Sequence, residues 1–273
     1  MTYRTILLEL LDDPQNDARI ECGRQLAQRF DAELVGIHVS PPPFLPIGFG
    51  EGAAYVGPEV FEAQREANRL VRERVEAAFR RLCDPTKMAV RDLYEEGDAG
   101  ELLAEAARGA DLTVLAQESG AGLEALAPQP IHHVVLSAGG PVLVLPSVAI
   151  PPTIGRRVVV AWNGSREAAR ATKDALPFLT SAEAVVLLAA GEDAAAALDT
   201  GMGLLKRHGA EVVARQIELG SAHGATLLQA AAAERADLLV MGGYGHSRLR
   251  EIVLGGATRE VLRDARLPVL LSC

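Results

Sequence analysis

The 273-residue sequence predicts an α/β fold made twice over, each half a parallel sheet covered by helices. The first observation behind this is alternation. Short runs rich in β-branched residues or leucine give way to alanine-rich stretches whose apolar residues recur with a 3.6-residue period. The second is self-similarity. Arg4-Thr-Ile-Leu-Leu-Glu9 matches Arg157-Val-Val-Val-Ala-Trp162, and Ala32-Glu-Leu-Val-Gly-Ile37 matches Ala182-Glu-Ala-Val-Val-Leu187. Further on, Ala110-Asp-Leu-Thr-Val-Leu115 matches Ala236-Asp-Leu-Leu-Val-Met241, and Pro141-Val-Leu-Val-Leu145 matches Pro268-Val-Leu-Leu-Ser272. Each half then holds five strands and four helices. The third observation is the break between them, Pro146-Ser-Val-Ala-Ile-Pro-Pro-Thr-Ile-Gly155, whose prolines and closing glycine make a short extended linker. The expected organisation is a domain over 1–146, a linker over 147–155 and a second domain over 156–273.

The halves differ most between their second and third strands, where the first carries a longer insertion. It holds an apolar Pro/Gly loop around Phe44, Leu45, Ile47 and Phe49 and a helix near Pro58 to Leu82. Apolar residues at Phe61, Leu70, Val71, Val75, Phe79 and Leu82 give that helix one inward stripe.

Composition narrows the function classes. Hydrophobic residues at 49% and charged residues at 23% describe a globular chain. The net charge of −9 argues against nucleic acid as a partner, and aromatics at 4% leave no stacking platform for bases. Three widely spaced cysteines, Cys22, Cys83 and Cys273, fit a reducing compartment and give no zinc site. No apolar run approaches the length of a membrane span, and the N-terminal run is a first strand, not a signal peptide. The expected location is the cytoplasm.

The chemistry concentrates after the fourth strand of the second half. Gly242 and Gly245 follow the apolar run ending at Met241, and Gly255 and Gly256 stand just before a helical pattern over Thr258 to Ala265. Glycines let a ligand approach backbone N–H groups, and a helix N-terminus behind them offers unpaired donors and partial positive charge. That combination is a candidate phosphate cradle, formed by the backbone of Gly242, Gly245, Gly255, Gly256 and Ala257. In an open parallel sheet the ligand crevice lies beyond the carboxyl ends of the strands, where connections diverge to opposite faces.

The repeat, the glycine spacing and the closing valine-rich strand together resemble the universal stress protein family, in a tandem arrangement with two such domains in one chain. The resemblance implies flavodoxin-like, Rossmann-like domains with strand order 3-2-1-4-5. It also implies an adenine nucleotide in the second domain, ATP foremost, alone or with Mg²⁺. The family's acidic residue after the first strand matches Asn163, beside Ala161 and Trp162, and a backbone contact to adenine falls near Ala190. The Ser or Thr that follows the family's last glycine is displaced here to Thr258, so the amide survives at that place and the hydroxyl does not. His246 is a further residue within reach of a phosphate. In the family the fifth strands mediate dimers, so the two halves are expected to pair as an internal pseudo-dimer, with a homodimer of the whole chain as a further level.

In the first half Ala116 and Ser119 take the places of Gly242 and Gly245, and Pro128 and Gln129 those of Gly255 and Gly256. Proline removes a donor and side chains fill phosphate space, so this half is not expected to bind nucleotide. The adjacent pair His132 and His133 does not face one way on a helix, so no metal site is expected from that pair alone. No GxxxxGK[ST], GxSxG or HExxH motif is present, and no paired carboxylates are spaced for acid/base work. The expected protein is a regulatory, nucleotide-binding one in the stress response, with no catalytic residues and at most slow ATP hydrolysis. The alternative is a nucleotide-independent interaction module.

Overall fold

A computed structural model describes residues 2–43, 58–117, 130–191, 193–218, 220, 222–244 and 256–273. Residues before Pro146 supply β1 (Thr5–Glu9), α1 (Asn16–Phe30), β2 (Glu33–Ser40), α2 (Pro58–Leu82), β3 (Val90–Glu96), α3 (Ala99–Ala107), β4 (Leu112–Ala116), α4 (Pro130–Ser137) and β5 (Val142–Leu145). The remainder supplies β6 (Arg157–Ala161), α5 (Arg166–Asp174), α6 (Leu176–Leu179), β7 (Ala184–Ala190), α7 (Ala194–Arg207), β8 (Val212–Ile217), α8 (His223–Ala233), β9 (Leu238–Gly242), α9 (Ala257–Asp264) and β10 (Val269–Ser272). The α5–α6 break has a local cause, since Pro177 enters at the start of α6 and cannot donate to the preceding turn.

The ten strands of the described residues form one sheet, in the order β3-β2-β1-β4-β5-β10-β9-β6-β7-β8. Each half thus has the expected 3-2-1-4-5 order with parallel neighbours. The one antiparallel junction joins β5 to β10, with Val269 opposite Val144, Leu270 opposite Leu143 and Leu271 opposite Val142. The two fifth strands, short and wholly buried, therefore satisfy each other's ladder groups and leave β3 and β8 as the outer edges.

Side chains alternate across the sheet, so each strand feeds two cores. On one face Ile6, Leu8, Leu34 and Val160 pack under α1, α2, α5, α6 and α7; on the other Leu7, Val35, Leu239 and Val269 pack under α3, α4, α8 and α9. Helix starts follow local chemistry. Asp98 caps α3 by accepting from the Glu101 N–H at 2.9 Å, and Ser165 caps α5 by accepting from the Ala168 N–H at 3.2 Å.

Helix α2 occupies the expected range, but its inward stripe is shorter than the pattern suggested. Only Val75 and Phe79 are fully buried, and Leu70 is 42% exposed, because the amino-terminal part of α2 lies largely in solvent. The Phe44–Phe49 loop lies outside the described residues.

The repeat alignment needs a one-residue correction in its first two strands. The last ladder bonds run from Leu10 N–H to Ile37 O and from Trp162 N–H to Leu188 O. Leu10 therefore matches Trp162, and Glu9 matches Ala161 rather than Trp162. Strand side chains have period 2, so such a slip decides which residue faces which core.

The halves also lock through side chains. Arg29 donates to Ile154 O at 2.6 Å and to Ser181 Oγ at 2.7 Å, its guanidinium lying 5.2 Å from the Phe30 ring and 5.3 Å from that of Phe178. Tyr3 Oη donates to Asp174 O at 2.6 Å.

Candidate functional site

The carboxyl ends of β6 and β9 lie side by side, with Ala161 opposite Met241. The chain after β6 turns to α5 on one face, and the chain after β9 leads to α9 on the other. Between them opens a cleft of about 340 Å³. Among the residues singled out from sequence, Ala161, Trp162, Asn163, Ala190, Gly242, Gly256, Ala257 and Thr258 all line it. Gly245, His246 and Gly255 lie outside the described residues.

The floor and one wall are apolar. Trp162 is only 5% exposed and packs against Gly201 of α7, where a β-carbon would come within 3.0 Å of the indole. Its Nε1–H has no hydrogen-bond partner among the described residues, an unusual state for a buried indole at the edge of a cavity. Leu188, Ala189 and Ala190 from the end of β7, Ile217 from β8 and Leu227 from α8 continue the wall.

The polar residues are largely engaged by the fold. Asn163 Oδ1 accepts from the Ser165 N–H at 3.0 Å, an Asx turn that delivers Ser165 to its capping position and leaves the Asn163 amide as a donor. Thr258 is buried, and its Oγ1 accepts from the Tyr244 N–H at 3.4 Å. Its hydroxyl thus holds the backbone of the β9–α9 connection. Glu167 is buried at the start of α5 and pairs with exposed Arg166 at 2.7 Å.

Gly242 has a packing reason of its own. A β-carbon there would meet Ala168 N at 2.6 Å and Glu167 C at 2.7 Å, so its glycine lets the first turn of α5 close onto the end of β9. Gly256 has extended geometry as the N-cap of α9, whose first turn, Ala257 and Thr258, forms one rim of the cleft. The first N–H groups of a helix have no intrahelical acceptor and carry the positive end of its dipole, so this rim attracts anionic groups. Glu260, on the same helix, faces away from that role. It accepts from the Gly224 N–H at 2.9 Å, in the first turn of α8.

Ser165, Glu167, His223, Leu227, Ile217 and Met241 line the cleft without having been singled out. Two signals were available. Ser165 stands where a helix N-cap belongs, and His223 and Leu227 share a helix face at i, i+4. Glu167 gave none, since a charged residue in a first helical turn is ordinarily solvated.

In the first half Glu118, Ser119, Pro128 and Gln129 lie outside the described residues. What the structure describes there is Glu9, whose carboxylate accepts from the Ala116 N–H at 2.9 Å. Burial pushes this carboxyl above its ordinary range, with the Ala116 bond and the Arg19 charge opposing. His132 and His133 diverge: the His132 ring meets the Tyr244 hydroxyl across the junction, whereas His133 is exposed. Burial, followed by the nearby Arg259 charge, holds the His132 imidazole below its ordinary range.

Comparison with known proteins matches residues 155–272 to the model of the Universal stress protein family. The Universal stress protein Slr1230 of Synechocystis sp. (strain ATCC 27184 / PCC 6803 / Kazusa) is 56% identical over 34 residues, which is 12% of this chain and 12% of that protein. Two solved structures resemble nearly the whole chain. A universal stress protein from Archaeoglobus fulgidus DSM 4304 aligns with TM-score 0.75 at 18% identity, covering 98% of this chain and 95% of that one. A protein of unknown function from Pseudomonas aeruginosa PAO1 aligns with TM-score 0.59 at 15% identity, covering 99% and 92%. At these identities the likeness is one of fold. Among the described residues, no helix is long and apolar enough to cross a membrane.

Proposed function

We propose that the cleft between β6 and β9 binds an adenine nucleotide, ATP foremost, and that the protein is a cytoplasmic regulator in the stress response built from two tandem universal stress protein domains, 1–146 and 156–273. One observation carries this reading. A single cavity joins an apolar slot, between Trp162 and Ala190, to the amino-terminal turn of α9. The slot suits a purine, with the Asn163 amide as a donor at its edge. The α9 turn suits phosphate, and Gly256 and Ala257 bring no large side chain to that rim. A volume near 340 Å³ lies within the range of small-ligand pockets. Mg²⁺ would enter with the phosphates, since among the described residues no group of three or more His, Cys, Asp or Glu is gathered to hold a metal.

One observation favours the second reading, a nucleotide-independent interaction module. The side-chain oxygens of Asn163 and Thr258 are both already bonded inside the fold. The deciding experiment is to purify the protein without added nucleotide, denature it and identify what is released by mass spectrometry, then titrate the emptied protein with ATP and Mg²⁺ in a calorimeter. Near-stoichiometric adenine nucleotide, or saturable uptake at micromolar to low-millimolar ATP, is expected. An empty protein with no heat at millimolar ATP would leave the interaction module standing. Steady phosphate release in the same mixture would count against a purely regulatory role.

A further inference from the structure

The antiparallel β5–β10 junction sets the carboxyl edge of the first half beside the amino-terminal end of β10, and so beside the end of α9. Gln117, the residue after β4, occupies that corner and is only 6% exposed. Its Oε1 accepts from the Ser147 N–H at 2.9 Å and the Ser147 hydroxyl at 3.3 Å. Its Nε2 donates toward Leu262 O at 2.8 Å, Arg263 O at 3.0 Å and Ala265 O at 3.1 Å. These partners fix the amide orientation, because the flipped form would set oxygen against three carbonyls and nitrogen against a backbone N–H.

The three carbonyls belong to the terminal turn of α9, which has no glycine C-cap: Ala265 is extended. Helix ends leave carbonyls without intrahelical partners, and here a side chain from the other half of the molecule takes them up. The opposite end of α9, eight residues or about 12 Å away, is the rim of the candidate cleft. In the other direction the contact differs: Arg170 donates to Gly139 O at 3.0 Å, just past the end of α4. The residue matching Gln117 is Gly243, whose N–H bonds Ser272 O as that of Gln117 bonds Leu145 O, and glycine has no amide to give.

We propose that Gln117 is a positioning residue through which the first half holds α9 in register and so sets the affinity of the second-half cleft. This rests on the nucleotide reading of that cleft, but its geometric part can be read without ligand. Trp162, the only tryptophan in the chain, lines the same cleft as the α9 rim, so its fluorescence reports changes in that cleft.

The test compares Gln117→Leu, which keeps the volume and removes the amide, with Arg29→Ala, which loosens the same inter-half contact on the other face of the sheet without touching α9. Gln117→Leu is expected to shift Trp162 emission and raise its quenching by acrylamide in the empty protein. It should also speed hydrogen exchange over 261–265 and weaken ATP–Mg²⁺ binding about fivefold or more. Arg29→Ala should leave all of these at wild-type values. Unchanged Trp162 fluorescence, exchange and affinity in Gln117→Leu would overturn the proposal, as would equal changes in Arg29→Ala. Should the wild type bind no ATP while Gln117→Leu alone alters Trp162 and the exchange of α9, the nucleotide reading fails and the positioning of the rim stands. Gln117→Glu provides the second variant. Its carboxylate faces the same carbonyls and should give changes at least as large.

Discussion

At the end of β1 the first half carries Glu9, and at the same place, the end of β6, the second half carries Ala161. The Glu9 carboxylate reaches the N–H of Ala116, whereas the position matching Ala116 is Gly242, beside an open cleft. The neighbouring positions differ in the same direction. His38, buried and bonded to Leu10 O at 2.8 Å, matches Ala189. Arg19, 2% exposed, bonds Glu9 O at 3.1 Å and Asp13 at 2.9 Å. One strand order thus serves twice with opposite results. In the first half Glu9, His38 and Arg19 turn their polar groups onto backbone at the ends of β1 and β4, and in the second Ala161, Ala189 and Gly242 line an open cleft. A binding site on this fold is made by what the side chains do not fill.

The largest expected effect comes from filling the vacancy. Ala190→Trp sets an indole into the slot and should weaken ATP–Mg²⁺ binding by about 100-fold, about 2.7 kcal/mol, in a calorimetric titration. Val39, at the matching place in β2, changed to Trp should leave that affinity unaltered. Equal losses in both variants would move the site, or part of it, to the first half.

Next in size is the glycine contrast. Gly242→Ala forces a β-carbon to within 2.6 Å of the α5 backbone, which cannot rotate away, and should cost about 1–3 kcal/mol in urea unfolding. Its counterpart Ala116→Gly removes a buried methyl in a strand and should cost about 0.5–1 kcal/mol. A Gly242→Ala protein as stable as the wild type would mean that α5 is free to shift, and that the glycine is there for the ligand alone.

Much of this architecture was legible in the sequence. The repeat and the alternation of strands and helices follow from period and punctuation, and the strand order follows from the family resemblance. Eight of the eleven residues singled out for the site line one cleft, because residues at strand ends and helix starts are placed by topology alone. What escaped was register and occupancy. The one-residue slip hid Glu9, since a charged residue at a strand end reads as solvent-facing until its partner, the Ala116 N–H, is known. Gln117 escaped for the same reason. Its partners at the end of α9 lie 145 to 148 residues away, beyond the reach of any local pattern.

Glu9 also gives the smallest and most diagnostic expected effect. Burial raises its carboxyl above the ordinary value of 4.5, so the folded protein holds this proton where the unfolded chain has already released it. Between 4.5 and the raised value the folded state binds more protons than the unfolded one, and stability therefore falls as pH rises through that window. Glu9→Gln keeps an oxygen for the Ala116 N–H and has no proton to lose. At pH 4, where both chains are neutral at this position, the two proteins should differ little. At pH 7 the Gln variant should be the more stable by about 1 kcal/mol, measured by urea unfolding at both pH values. The opposite sign at pH 7 would show that the carboxylate is ionised and held by Arg19. The first-half crevice would then be closed by a buried carboxylate beside Arg19, which also pairs with Asp13 at 2.9 Å, so removing Glu9 alone would leave the guanidinium paired, whereas removing Arg19 alone would leave a buried charge without its partner.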